Sequence, residues 1–236
     1  MDVVRDLLGL VTSFDSLGAP QQESKESRIF NKFHASAAYH SLATWKRRRR
    51  LQLADRESRV LPRLHGRVRS MISRQKLGPR ECANVFWATA HLSEAVPNVT
   101  GLVPALVKVL PEQMETMNPQ ELSNSFWAVA QLREVERVES LVLQIVPAIV
   151  QQIPSRADDM IPQHLSNCLW AAAQLQEKAP DVLKIVPVLV DQVLVKARDM
   201  MPQHLSNCLW AAVQLREAEP AVLKMVPAIS EDPWTY

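Results

Sequence analysis

The sequence predicts an all-α fold, a right-handed α-solenoid of helical hairpins about 40 residues long, and three observations predict it. Four segments align without a gap: GPRECANVFWATAHL (78–92), NPQELSNSFWAVAQL (118–132), IPQHLSNCLWAAAQL (161–175) and MPQHLSNCLWAAVQL (201–215). A second element follows each of them: LVPALV around Pro104, IVPAIV around Pro147, IVPVLV around Pro187 and MVPAI around Pro227. Glycine is scarce, at 5 of 236 residues, while apolar residues make up 47%. That composition favours helices over a sheet sandwich and is rich enough to fill a core.

Each aligned segment reads as the first helix of a hairpin. Proline at its start costs nothing, because the N–H it lacks would be unpaired there anyway. In the third segment Leu165, Cys168, Leu169, Ala172 and Leu175 recur at helical spacing. The run 182–194 supplies the second helix through Val182, Ile185, Val186, Leu189, Val190 and Val193. Pro187 falls inside that run, so a kink is expected there, or a break into two shorter helices. The tryptophans Trp87, Trp127, Trp170 and Trp210 are 40, 43 and 40 residues apart. Three of the four Trp-to-Pro distances are 17 and the one from Trp127 is 20. The three extra residues are expected in a loop between the helices of that repeat.

A single hairpin cannot cover its own apolar faces, whereas stacked neighbours can. Alanines beside each tryptophan allow close approach. Trp170 is expected to fill the gap between repeats, worth roughly 3–5 kcal/mol on truncation to Ala.

Four segments organise the chain. Residues 1–29, rich in Ser, Gln and Glu, are expected to form a loose tail. Residues 30–76 read as a divergent first hairpin. It opens with FNKFHASAAYHSLATW (30–45), whose Trp45 precedes Trp87 by 42 residues, and its second helix is basic. Residues 77–229 hold four hairpin repeats, the last incomplete, and 230–236 form a tail. SEDPWTY stops where a further helix would continue, which suggests a piece of a longer array.

Net charge is +2, unevenly spread. Residues 46–80 carry 13 Lys and Arg against only Asp55 and Glu57, whereas 81–236 carry 10 basic and 18 acidic groups. A basic block of this kind attracts an anionic partner. The three cysteines, Cys82, Cys168 and Cys208, are odd in number and widely spaced, with no CxxC pair. A disulfide framework is therefore not expected, and a reducing or organellar interior suits the chain. No run of 18 apolar residues exists, so no membrane span or membrane partner is expected. The opening MDVVRDLLGLV carries Asp2 and Asp6, which fits neither a secretory signal nor an acid-poor transit peptide. With no phosphate-binding glycine loop and no nucleophile motif, neither catalysis nor a small-molecule substrate is expected. His164 and His204 stand at equivalent positions, but no third ligand completes a metal set, so no metal or cofactor is expected.

The motif PQELSNSFWAVAQL, PQHLSNCLWAAAQL and PQHLSNCLWAAVQL resembles the octotricopeptide repeat and the related heptatricopeptide and FAST leucine-rich repeats. The lead-in FNKFHASAAYHSLA is similar to that of such proteins in algae and dinoflagellates. The resemblance covers about residues 30–229. It implies an RNA-binding α-solenoid of the mitochondrial matrix or chloroplast stroma, acting in processing, mRNA stability or translation. Single-stranded RNA and other RNA-processing proteins would be its partners. Larger members often end in a nuclease-like RAP domain, of which this sequence shows no trace, so cleavage is not implied.

On the first helices, Asn84, Ala88 and His91 share a face, as do Asn124, Ala128 and Gln131; Asn167, Ala171 and Gln174; and Asn207, Ala211 and Gln214. Stacked, they would form a polar stripe whose amides can bond unpaired base edges. The other reading is that each Asn bonds neighbouring backbone and fixes the stacking. Residues just after the prolines vary: Arg80 and Glu81, Gln120 and Glu121, Gln163 and His164, Gln203 and His204. They are either specificity determinants or a solvated helix start. Arg47, Arg48, Arg49, Arg50, Arg63, Arg67, Arg69 and Arg74 are phosphate candidates. The same run also reads as an import-like or merely solvated segment. The acidic repeats count against tight RNA binding by themselves, and a protein–protein scaffold of solenoid type is the competing reading.

Overall fold

The computed structural model describes residues 31–47 and 55–230, with backbone only at 45–47, 55–60 and 63. The described residues are helical and contain no strand. The chain divides into two compact units, Met1–Val109 and Leu110–Tyr236. The expected tail at 1–29 lies outside the described residues, as does the one at 230–236 except for Ser230, which ends a helix.

Unit 1 contains α1 (Lys32–Arg47), α2 (Asp55–Ser73), α3 (Pro79–Leu92), a 3₁₀ turn Pro97–Leu102 and the start of α4 (Val103–Gln113). The segment read as a divergent first hairpin holds α1 and α2. Helix α1 packs along α3, and the small residues Ala35, Ala38 and Ala83 lie buried. Helix α2 turns Leu61, Leu64, Val68 and Ile72 inward, a 3–4 residue rhythm that leaves Arg67 and Arg69 on other faces. It closes with Gln75 at φ 52°. There Lys76 N–H donates to Met71 O and Gln75 N–H to Ile72 O, both at 2.9 Å. That is a left-handed helix stop usually taken by glycine. Tyr39 Oη lies 3.3 Å from His65 Nδ1.

Unit 2 repeats one pattern. The first helices are α5 (Pro119–Leu132), α8 (Pro162–Leu175) and α10 (Pro202–Leu215), each of 14 residues. The element between α5 and its partner is α6 (Glu136–Leu143). The second helices are α7 (Val146–Gln152), α9 (Val186–Lys196) and α11 (Met225–Ser230). Short 3₁₀ turns precede α5, α8 and α10. Helix α8 packs against both α5 and α10, and α9 against both α8 and α11. Neighbouring helices therefore pack in series, in two layers. The A-type helices begin where their sequence dictates. Asn118 Oδ1 accepts from Glu121 N–H at 2.9 Å while Glu121 Oε2 accepts from Asn118 N–H at 3.1 Å, a reciprocal cap worth about 1 kcal/mol. At α10 His204 Nδ1 accepts instead from Met201 N–H, at 3.2 Å.

Three expectations need correction. The second element is not one kinked helix. Residues Pro180–Ile185 form a 3₁₀ turn and α9 starts at Val186, placing Pro187 in its first turn. The break wins over the kink because the first N–H groups of a helix have no acceptor, so proline forfeits nothing there. The extra residues after Trp127 do not form a loop. They convert the 3₁₀ turn seen at Pro97–Leu102, Pro180–Ile185 and Pro220–Lys224 into α6. Its first turn lacks the proline of the others and carries Glu136 and Glu139, which suit the positive end of a helix.

The third correction concerns the tryptophans, which are not buried wedges. Trp87, Trp127 and Trp170 are half-buried and Trp210 is 38% exposed. Phe126 and Leu169, one position before the indoles in α5 and α8, take the interior place instead, both fully buried.

Candidate nucleic-acid interface

Helix α5 is buried nearly all round. Beyond Pro119, only Gln120, Asn124, Trp127 and Gln131 reach solvent. Their spacing, i, i+4, i+7 and i+11, defines one narrow face of a helix. Helix α8 presents Gln163, Asn167, Trp170 and Gln174 at the same spacing, with His164 half-buried beside them, and α10 presents Gln203, Asn207, Trp210 and Gln214 on a more open helix where Ser206 and Val213 are exposed as well. The stripe differs from the expected one in two members, a leading glutamine gained and a tryptophan in place of the alanine. Ala128, Ala171 and Ala211 are fully buried, and the indole before each takes the solvent-facing place. At 100° per residue, alanine and tryptophan lie about equally far to either side of the Asn–Gln line, and the packing buries the alanine side. The signal was present in the sequence as the heptad spacing Gln163–Trp170. Its meaning was hidden because tryptophan suits either a core or a half-wet surface.

Because the three helices lie side by side, their indoles form a ladder. The Trp127 and Trp170 centroids are 6.2 Å apart at 29°, and those of Trp170 and Trp210 are 6.2 Å apart at 33°. The carboxyl ends of the helices are tied together below it. Arg133 donates to Gln174 Oε1, and Gln176 Nε2 donates to Gln214 O at 3.1 Å. The amides of Asn124, Asn167, Asn207 and Gln131 make no hydrogen bond among the described residues. The backbone-bonding role open to these asparagines is therefore not the one seen in unit 2.

Unit 1 differs. Asn84 Nδ2 donates to Ser36 Oγ at 3.3 Å, so this amide is used in packing. Trp87 lies between His40, stacked at 5.1 Å, and His91, edge-on at 4.1 Å. Arg80 is exposed at the start of α3. Of the phosphate candidates, Arg67 is half-buried while Arg69 and Arg74 are exposed. Arg47 lies on α1 and Arg63 on α2, with their side chains outside the description. Arg48, Arg49 and Arg50 fall outside the described residues.

The histidines proposed as specificity determinants have structural surroundings. His204 caps α10, and His164 is half-buried with Nδ1 inaccessible and without a hydrogen bond. Burial, then the nearby Lys196 ammonium, lowers the His164 pKa below its ordinary value. Burial, then Arg69, does the same for His65, and burial alone for His204. Protonation thus favours the unfolded chain. The stability these neutral rings contribute is complete above about pH 6.5 and is lost as pH falls through the lowered folded values. The melting temperature is expected to fall between pH 7.5 and 5, and His164→Gln should flatten that decline. A melting temperature independent of pH over this range would contradict the assignment.

The cysteines are packing groups: all three are buried, burial pushes the Cys208 thiol up to about 12 and raises that of Cys168 further still. Among the described residues no group of three His, Cys, Asp or Glu side chains could hold a metal ion, and no helix is long and apolar enough to cross a membrane. No family model, curated protein or solved structure matches the chain.

Proposed function

We propose that the chain is a single-stranded-RNA-binding helical-repeat protein of the octotricopeptide kind, a right-handed α-solenoid that works by binding and not by catalysis. Its setting is the mitochondrial matrix or chloroplast stroma, where it acts in RNA processing, mRNA stability or translation beside other RNA-processing proteins. The observation that carries this reading is the ladder of Trp127, Trp170 and Trp210, flanked by the side-chain amides of Asn124, Asn167, Asn207 and Gln131, which make no hydrogen bond among the described residues. Every base has a π face that stacks on an aromatic side chain, and single strands are held by such platforms together with cationic groups that meet the phosphates. The charge for the second task resides in residues 46–80, since the repeats are acidic.

That acidity and the exposed apolar groups Val195, Val213 and Leu223 favour a protein–protein scaffold as the second reading. Titration of the full chain with a fluorescent single-stranded RNA separates the two. The expected result is saturable binding that weakens steeply with salt and is lost when Arg47–Arg50 are changed to Gln. Absence of binding at low salt would leave the scaffold.

A further inference from the structure

Each first helix of unit 2 has a side turned toward the next one. In α5 that side is Ser123, Phe126 and Ala130, and in α8 it is Ser166, Leu169 and Ala173, all buried. In α10 the same places hold Ser206, Leu209 and Val213. Here Ser206 is exposed, Leu209 is half-buried and Val213 is 55% exposed. Leu223 carries the open surface into the second layer, whereas Leu183, at the same place one repeat earlier, is half-buried. Among the described residues no further first helix covers this side. We propose that a second copy of the chain covers it, the two α10 helices packing antiparallel across a two-fold axis.

The contact extends the packing that already joins α5, α8 and α10, but with a steric difference. Ala90, Ala130 and Ala173 each stand three residues after a tryptophan, and the same place in α10 holds Val213. An alanine there lets the next helix approach closely, whereas a valine needs a small residue opposite. Ser206, Leu209 and Val213 share one helical face. An antiparallel pair centred between Leu209 and Trp210 sets Val213 of one copy against Ser206 of the other, twice, with the leucines at its centre.

The polar groups at the rim are self-complementary as well. Within unit 2 a cation from each repeat holds the turn that precedes a first helix. Arg156 Nη2 donates to Glu115 O at 2.9 Å and its Nε to Met117 O at 3.4 Å. Lys196 Nζ donates to Asp158 O at 2.6 Å and to Met160 O at 2.7 Å. Before α10 the carbonyls at these places belong to Arg198 and Met200, and no side chain among the described residues donates to them. At the carboxyl end of α10, Arg216 meets only its neighbour Glu217, at 3.7 Å, among the described residues. Its counterpart Arg133 instead reaches the next helix at Gln174 Oε1. The open side thus carries an unused donor at one end and unused acceptors at the other. A two-fold axis lays each on the other, as an interface made of one patch used twice requires.

Sedimentation velocity of the full chain over a range of concentrations tests the pairing. The expected result is a reversible species of twice the mass of one chain. Val213→Lys charges the contact and Arg216→Glu removes the donor. Each should weaken dimerisation by about tenfold or more, as loss of an interface anchor does. Both positions are exposed in the single chain, so the melting temperature of the dilute proteins should not change. The double variant Ser206→Cys/Val213→Cys reads the geometry, the native cysteines being buried. On one helix these positions lie about 10.5 Å apart at 1.5 Å per residue, and a disulfide needs Cα atoms within about 7 Å. Oxidation should therefore give a covalent dimer from the double variant and none from either single variant. A single-chain mass at every concentration would overturn the proposal. So would dimers that Val213→Lys leaves intact, or dimers that the paired cysteines fail to lock, because another surface would then make the contact.

Discussion

Phe126→Ala is expected to destabilise unit 2 by about 3–5 kcal/mol, the range for emptying an aromatic site in a core that cannot fully collapse. Phe126 is fully buried on α5, in a helix whose Leu122, Ala128, Val129, Ala130 and Leu132 are all fully buried as well. With so little of α5 in contact with water, few neighbours are free to relax into the space. A domain whose total stability is about 5–15 kcal/mol would lose a large fraction of it. Urea denaturation followed by circular dichroism reads the effect. Because the chain has two units, the variant should unfold in a first transition at lower urea that the unaltered protein lacks or shows later. Gln120→Ala, on the exposed stripe of the same helix, should shift the curve by no more than about 0.5 kcal/mol. Equal effects of the two substitutions would mean that α5 is not packed as described.

Much of this packing was legible because the A-type helices carry agreeing signals at every level. A proline in the first turn and a leucine at the end bracket 14 residues, and the structure starts and ends α5, α8 and α10 on them. The second layer was less legible. The apolar rhythm of Val182, Ile185, Val186, Leu189 and Val193 runs unbroken across the junction between a 3₁₀ turn and α9, since three- and four-residue spacings serve both. Periodicity alone therefore could not place the break. Pro187 marked it, and only the position-dependence of proline's cost decides between a kink and a start.

The site was legible in its amides and hidden in its rings. Asn167 and Gln174 are amides seven residues apart on one helical face, with no apolar neighbour in register between them but Trp170 and Ala171, which places them on the exposed side. Trp170 carries no such label. Its large apolar surface argues for burial, and the fully buried Leu169 beside it competes for the same interior. Once Leu169 occupies the interior, the next residue, 100° further round, turns toward the stripe. Neighbouring indoles then cover one another. The resulting half-burial stabilises the stack without removing it from water.

That division of labour sets the expected outcome for Trp170→Ala. Trp170 is the middle rung, stacked on both Trp127 and Trp210, so its removal breaks two contacts where Trp210→Ala breaks one. Base–aromatic stacking is worth about 1–3 kcal/mol per base, and loss of the central ring opens two gaps. Affinity for single-stranded RNA should fall by about 30-fold or more, taking 1.4 kcal/mol as tenfold, and Trp210→Ala should have a smaller effect. Stability should fall by less than Phe126→Ala causes, because the half-exposed indole gives up less buried surface. Trp170→Phe, which keeps a ring but less of it, should recover part of the affinity. Anisotropy titrations and urea curves on the same four proteins give both readouts. Were Trp170→Ala to unfold unit 2 as readily as Phe126→Ala while binding RNA undiminished per folded molecule, the indole would be a packing residue. The ladder would then be a consequence of how the helices stack and not a surface that holds a strand.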